Sequence, residues 1–294
     1  MSKQPSIRNK LNDLTGTEWI KFTRTWFVCD SHRYFRNKNT ELHPARYPEE
    51  MVAEFLRFFT KSGGWVLDPF AGSGATLVSC AEEGRHGVGI ELSARYAEVI
   101  RRRVHNTAPR QTVLAGDARG VLAPELWEVN RIALAVEGLP FIDELPVFDY
   151  SISSPPYGAM LHTSRGGVYS KQMQRADQGL DTNYSTDDDA DLGNIADHEA
   201  FVTELGAIYR KVARLLKPDG YLTIVMQNYR ASHGEVIPLA WELTRELSRD
   251  LLFQGERIWC QNTKPLGIWG YPSIFVPNYH HHYCLIFRNR PPNR

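Results

Sequence analysis

Apolar and polar residues alternate in two different rhythms between residues 64 and 288 of this 294-residue chain. Short apolar runs read as strands: Trp65–Leu67, His86–Ile90, Thr112–Ala115, Phe148–Ser153, Tyr221–Met226, Gln254–Cys260 and His282–Phe287. The stretches between several of them repeat their apolar positions at helical spacing. A helix begins near Pro48, with Val52, Phe55, Leu56 and Phe59 on one face. Others cover Ala75–Glu83, with Gly84 as its C-cap, then Ala94–Val104, His198–Leu216 and Val236–Leu252. Residues 120–146 read as a loose helical connection, and Lys217-Pro218-Asp219-Gly220 as a turn. Strand and helix taking turns in this way predict a doubly wound α/β sheet. Ahead of it, residues 1–40 mix basic and aromatic side chains without a sustained period, although alternation over Thr23–Val28 predicts one short strand. The expected organisation is an arm over 1–40 and one domain over 41–294, with a Gly-, Ser-, Asp- and Gln-rich insertion at about 158–195.

The first predicted strand ends in Asp68-Pro69-Phe70-Ala71-Gly72-Ser73-Gly74-Ala75-Thr76, after which the helical rhythm begins. In an open α/β sheet a ligand loop leaves a strand at its carboxyl end, and Gly72 and Gly74 let a ligand approach the main chain. Three familiar glycine loops fit poorly. A dinucleotide fingerprint needs a third glycine where Leu77 stands, no Gly-Lys-Ser/Thr run follows as a Walker loop requires, and an esterase elbow needs glycine at Ala71. What remains, an acid at the entrance with an aromatic beside it, suits a cationic, non-phosphorylated nucleoside. Glu91 closes the second strand 19 positions past Gly72, the spacing at which an acid bonds ribose hydroxyls.

A second strand ends in Ser154-Pro155-Pro156-Tyr157. Together the two loops resemble those of the amino-group DNA methyltransferases, in which Asp-Pro-Phe-x-Gly-Ser-Gly holds S-adenosylmethionine and Ser/Asp/Asn-Pro-Pro-Tyr carries catalysis. Motif order and spacing match over most of the chain after residue 40. The resemblance implies a class I methyltransferase, a Rossmann-like, mostly parallel sheet of seven strands with the last antiparallel. It also implies cofactor contacts from Asp68, Pro69, Phe70, Gly72, Ser73, Gly74 and Thr76, with Glu91 on the ribose and Asp117, followed by Ala118, on the adenine amino group. The run Leu42-His43-Pro44-Ala45-Arg46-Tyr47-Pro48 matches a His-Pro-x-x-x-Pro element, which places Tyr47 and Pro48 over the cofactor's methionine end.

Ser154 and the carbonyl of Pro155 would then bind the two protons of an exocyclic amine, Pro155 and Pro156 would stiffen the loop, and Tyr157 would stack on a base flipped out of the duplex. Serine in the first position favours cytosine N4. Adenine N6 is the alternative, followed by an RNA base or a non-catalytic nucleic-acid-binding module.

Composition narrows the partners. Lys+Arg and Asp+Glu are both 34, so the chain as a whole is no polycation. Within residues 1–40, eight basic residues stand against Asp13, Glu18 and Asp30. The aromatics interleaved with them suit nucleic-acid contact or packing of the arm onto the domain. Duplex DNA is the expected partner, read by the arm, the insertion and the aromatic loop 261–279, where Asn262, Lys264, Trp269 and Tyr271 are candidates. A cognate restriction endonuclease and a second copy of the chain are further candidate partners. Cys29, Cys80, Cys260 and Cys284 are scattered, no apolar run spans a bilayer, and His280-His281-His282 lacks metal-ligand spacing. The expectation is a cytoplasmic, membrane-free enzyme without a metal.

Overall fold

The computed structural model describes residues 4–30, 47–157, 191–231 and 234–290. Helix α1 (Gly16–Phe22) opens on a capping box, in which Thr15 accepts from the Glu18 amide and Glu18 accepts from the Thr15 amide at 2.8 Å. It is followed by β1 (Trp26–Val28), α2 (Glu49–Phe59), β2 (Trp65–Asp68), α3 (Ala75–Glu82), β3 (His86–Glu91), α4 (Ala94–Arg103) and β4 (Thr112–Ala115). The chain continues through α5 (Pro124–Val136), a small hairpin of β5 (Phe141–Ile142) and β6 (Leu145–Pro146), and β7 (Phe148–Ser153). After residue 190 come α6 (His198–Arg214), β8 (Leu216–Met226), β9 (Tyr229–Arg230), β10 (Val236–Ile237), α7 (Leu239–Leu247), β11 (Leu252–Cys260) and β12 (His281–Arg288). Among the described residues no helix is long and apolar enough to cross a membrane.

The main sheet runs β1-β11-β12-β8-β7-β2-β3-β4. Every neighbouring pair is parallel except those made by β12, which is antiparallel to both β8 and β11. The expected doubly wound, mostly parallel architecture with an antiparallel last strand is therefore present. The sheet has eight strands rather than seven, because β1 adds to the edge of β11 with Phe27 opposite Trp259. From β2 the chain steps outward through β3 and β4, then returns to place β7 on the other flank of β2. The switch point lies between β2 and β7, where Val66 pairs with Tyr150 and Leu67 with Ser151.

Large side chains fill both faces. Trp127, Phe148, Phe201 and Tyr209 lie on one side, and Phe55, Phe59 and Tyr150 on the other, all almost wholly buried. Of the described aromatics of the arm, Phe22, Phe27 and Trp19 pack onto the domain, while Trp26 stays about half exposed. Phe22 stacks on Phe58 at 4.0 Å, and the Arg257 guanidinium lies 4.0 Å from the Phe22 ring and 4.3 Å from the Phe27 ring. Tyr34 and Phe35 lie outside the described residues, as do His43, Pro44 and residues 158–190 of the expected insertion.

Three local expectations are corrected. Lys217–Gly220 is not a turn between elements but a bulge inside β8: Leu216 opposes Phe148 and Tyr221 opposes Tyr150, with Asp219 at φ +61° taking up the extra length. The helix expected from Val236 starts only after Pro238, since Val236 and Ile237 pair with Tyr229 and Arg230 and a proline suits a helix start rather than its interior. Residues 120–146 are ordered as α5 and the hairpin, held by the buried Trp127, whose indole N–H donates to the Val121 carbonyl at 3.0 Å.

Candidate active site

Asp68 is the last residue of β2 and is almost entirely buried. A buried carboxylate needs donors, and this one has three. The Phe70 amide donates to Oδ1 at 3.0 Å, while the Tyr47 and Thr76 hydroxyls reach Oδ2 at 3.0 and 2.5 Å. Tyr47 and Thr76 are also 2.5 Å from each other. Burial outweighs these bonds and raises the Asp68 carboxyl to about 6. Tyr47 thus grips the loop from behind through its hydroxyl, and Pro48 beside it caps α2.

Beyond Asp68 the backbone turns through Gly72 and Gly74, at φ +53° and +84°. A Cβ on Gly74 would also sit 2.9 Å from Ile100 Cγ1 of α4. Gly74 caps α3, so the amides of its first turn face the loop. Ser73 is 2% exposed and its hydroxyl has no partner among the described residues. A buried hydroxyl without a partner, beside glycines that leave the backbone bare, is the local signature of a cradle for a polar ligand. Arg103 braces it by donating to the Ser73 carbonyl at 2.5 Å and pairing with Glu49 at 2.6 Å. Sequence reasoning gave the run Arg101–Arg103 no role. Adjacent arginines on a helix point in different directions, and nothing local marks the third as the one that turns inward.

Glu91 ends β3 beside this loop. Its Oε2 accepts from the Gly72 amide at 2.7 Å and its Oε1 from the Ser93 amide at 2.9 Å, so it ties the two strand-end loops together. Burial raises its carboxyl to about 7, with smaller contributions from the charges of Asp68 and Asp191. Asp117 follows β4 and caps a short turn, Ala118–Gly120, accepting at 2.8 Å from both the Arg119 amide and its guanidinium. Each carboxylate oxygen of Glu91 and Asp117 keeps a lone pair beyond the bonds named here. Ala118 is buried.

Ser154, Pro155, Pro156 and Tyr157 leave β7 on the other side of the switch point. Since β2 and β7 are parallel neighbours, their carboxyl ends open on the same edge of the sheet. Ser154 Oγ is 3.2 Å from the Tyr157 hydroxyl, which also approaches the Val225 carbonyl at 3.5 Å. Tyr157 is 9% exposed, so its ring is turned inward in this state. The structure thus places the motif residues that follow β2, β3, β4 and β7 at one edge of the sheet, the carboxyl ends of four parallel neighbours. A further residue stands beneath it. Tyr209 of α6 shares a 2.8 Å hydrogen bond with Ser153 and packs its ring 5.9 Å from that of Phe70. In the sequence Tyr209 is simply one more apolar position of a helix face.

Residues 3–102 match the N6/N4 methyltransferase family model, described as DNA methylase. The match ends before Asp117 and Ser154. The type II methyltransferase M.MthZI of Methanothermobacter thermautotrophicus is 35% identical over 90 residues, 31% of this chain and 25% of that protein. M.HpaI of Haemophilus parainfluenzae is 35% identical over 74 residues, 25% of this chain and 24% of that one. The chain thus spans about a quarter of the length of these curated relatives. Among solved structures, TrmN from Thermus thermophilus overlays with a TM-score of 0.44 at 14% identity, over 82% of this chain and 47% of that one. The putative DNA modification methylase TTHA0409, also from Thermus thermophilus and complexed with S-adenosyl-L-methionine, overlays with a TM-score of 0.35 at 24% identity, over 61% of this chain and 55% of that one. Scores of this size bear on nothing further. Over about a third of its length, the chain is thus similar to amino-group DNA methyltransferases.

Proposed function

We propose, from that similarity and from the loops described, that the chain transfers a methyl group from S-adenosylmethionine to an exocyclic amine of a DNA base, with cytosine N4 as the target. One observation carries the reading: the Asp68–Thr76 loop and the Ser154–Tyr157 loop leave adjacent parallel strands at the same edge, on either side of the switch point. The relatives named above are type II methyltransferases, which supports DNA as the substrate and a restriction-modification setting.

In this reading the Gly72–Gly74 backbone and the Ser73 hydroxyl hold the cofactor's amino-acid end, Glu91 its ribose and Asp117 with Ala118 its adenine. Carboxyls raised by burial, such as Asp68 and Glu91, shift toward their ionised form beside a cation. When bound, the cofactor supplies an electrophilic methyl on a sulfonium. Ser154 Oγ and the Pro155 carbonyl would accept hydrogen bonds from the two N–H groups of the amine, drawing its lone pair out of the ring and toward the methyl, and the methylated nitrogen would then release one of these protons to solvent. The prolines keep that carbonyl aimed. Tyr157 turns outward to stack on the extruded base, exchanging its loose contact with Val225 for the base's face. Alignment of this kind supplies roughly 7–11 kcal/mol in favourable cases.

The test is transfer of labelled methyl to duplex DNA followed by mass spectrometry of the nucleosides. N4-methylcytosine that falls about a hundredfold in Ser154→Ala, with cofactor affinity retained, is the expected outcome. N6-methyladenine would keep the mechanism and overturn the base assignment. Cofactor binding without transfer to any DNA would overturn the substrate.

A further inference from the structure

We infer that Tyr209 is a positioning residue that couples the cofactor loop to the Ser-Pro-Pro-Tyr loop, an inference that rests on the function proposed above. Tyr209 is completely buried, in the third quarter of α6. Its ring lies 5.9 Å from Phe70, tilted by 59°, and Phe70 is two residues past Asp68. Its hydroxyl shares a 2.8 Å hydrogen bond with Ser153 Oγ, which is likewise completely buried. Ser153 is the last residue of β7, and its peptide carries Ser154. One side chain therefore touches both loops from the inside, where water cannot stand in for it. Two residues further along, Lys211 donates at 2.8 Å to the carbonyl of Arg119, in the turn that Asp117 caps. The same helix thus reaches the third ligand loop.

The chemistry distinguishes this from ordinary core filling. Phenylalanine would fill the space against Phe70 equally well, so only the bond to Ser153 uses the hydroxyl. Ser153, like Ser151 on the same face of β7, is a buried polar residue, and the Ser153–Tyr209 pair satisfies itself in low dielectric, where such bonds are directional. A shift of Phe70 toward a bound cofactor moves the ring, and the ring carries the hydroxyl that sets Ser153. Since a misplacement of about 1 Å at a reacting group can cost about a hundredfold in rate, a small displacement passed along this path is enough to matter.

The test compares Tyr209→Phe, Ser153→Ala and the double variant, with melting temperature as a control. Each single variant should lower kcat by about ten- to a hundredfold, the double no further than either, with cofactor affinity within about threefold of the parent. A second readout needs no turnover. Adding S-adenosylmethionine should slow hydrogen exchange at the amides of 70–76 and also at those of Ser154 and Tyr157. In Tyr209→Phe the first protection should persist and the second should vanish. The same protection at Ser154 and Tyr157 in parent and variant, or none in either, would overturn the coupling. So would a fall in kcat that follows the melting temperature and recovers on cooling. If the parent binds cofactor and spreads protection but methylates no DNA, the function proposed above fails while the coupling stands.

Discussion

The two loops that meet at the switch point are held in opposite ways. The loop after β2 is over-determined: Asp68 has three donors, Gly72 is tied to Glu91, the Ser73 carbonyl to Arg103, and two glycines occupy left-handed backbone. Among the described residues, the loop after β7 carries two prolines and hydroxyl contacts of 3.2 and 3.5 Å, with the 2.8 Å Ser153–Tyr209 bond at its root. A loop that must receive a small cofactor the same way each time benefits from being built in advance. A loop that, on the function proposed above, admits a base and turns a tyrosine outward benefits from weak ties that a ligand can replace. The contrast predicts that substitutions in the first loop strike folding and cofactor affinity, and those in the second strike turnover.

The largest effect belongs to Gly74→Val. Its φ of +84° is hostile to a β-branched residue, and the new Cβ would meet Ile100 Cγ1 at 2.9 Å. A loss of roughly 2–4 kcal/mol of stability and of measurable cofactor binding is expected, read by denaturation and calorimetry. An equally stable variant that binds normally would show the loop to be far less constrained than its contacts imply.

Glu91→Gln comes next, with about a tenfold loss of cofactor affinity as one charge-assisted acceptor is removed. It also has a pH signature. The Glu91 carboxyl is raised from 4.5 to about 7 and Asp68 from 3.8 to about 6, so the unfolded chain releases these protons first. Their contribution to stability is complete below about pH 4 and is lost as pH rises through 6 and 7. Removing the Glu91 carboxyl should flatten the upper part of that decline in a series of melting temperatures. An unchanged slope would mean that Glu91 titrates normally.

Arg103→Met should be milder, about three- to tenfold in cofactor affinity with kcat retained, because it frees the Ser73 carbonyl but leaves the glycines and Glu91 in place. A fall confined to kcat would contradict the division between the loops. The smallest effect is expected from Tyr157→Phe. Its hydroxyl meets Ser154 Oγ at 3.2 Å and the Val225 carbonyl at 3.5 Å, both long for an O–H···O bond, so transfer should change less than about threefold while Tyr157→Ala loses it. A large loss in the phenylalanine variant would give the hydroxyl a role that its geometry here does not support.

Much of the candidate site is legible in the sequence, because its parts are local. Asp68 to Thr76 lie within nine positions, and Ser154 to Tyr157 are contiguous. Glu91 and Asp117 follow strands whose apolar runs are plain. The unread parts depend on contacts far apart in sequence. Arg103 reaches back 30 residues to Ser73, and Tyr209 reaches 56 to Ser153. The bulge at Lys217–Gly220 looks in sequence like any Pro-Asp-Gly turn, and only pairing with β7 shows the strand running through it.

By itself the sequence determined the main alternation of strands and helices, the positions of two loops at strand ends, and the residue types that the proposed function reads as a cofactor cradle and an amine-binding tetrad. Those follow from periodicity and backbone preference, which act over a few residues. Only the tertiary structure decided that β2 and β7 lie side by side, that the arm supplies an eighth strand beside β11, and that one tyrosine of α6 stands behind both loops. Such choices are made by the packing of whole faces against one another, and no short stretch of chain contains the partner it will meet.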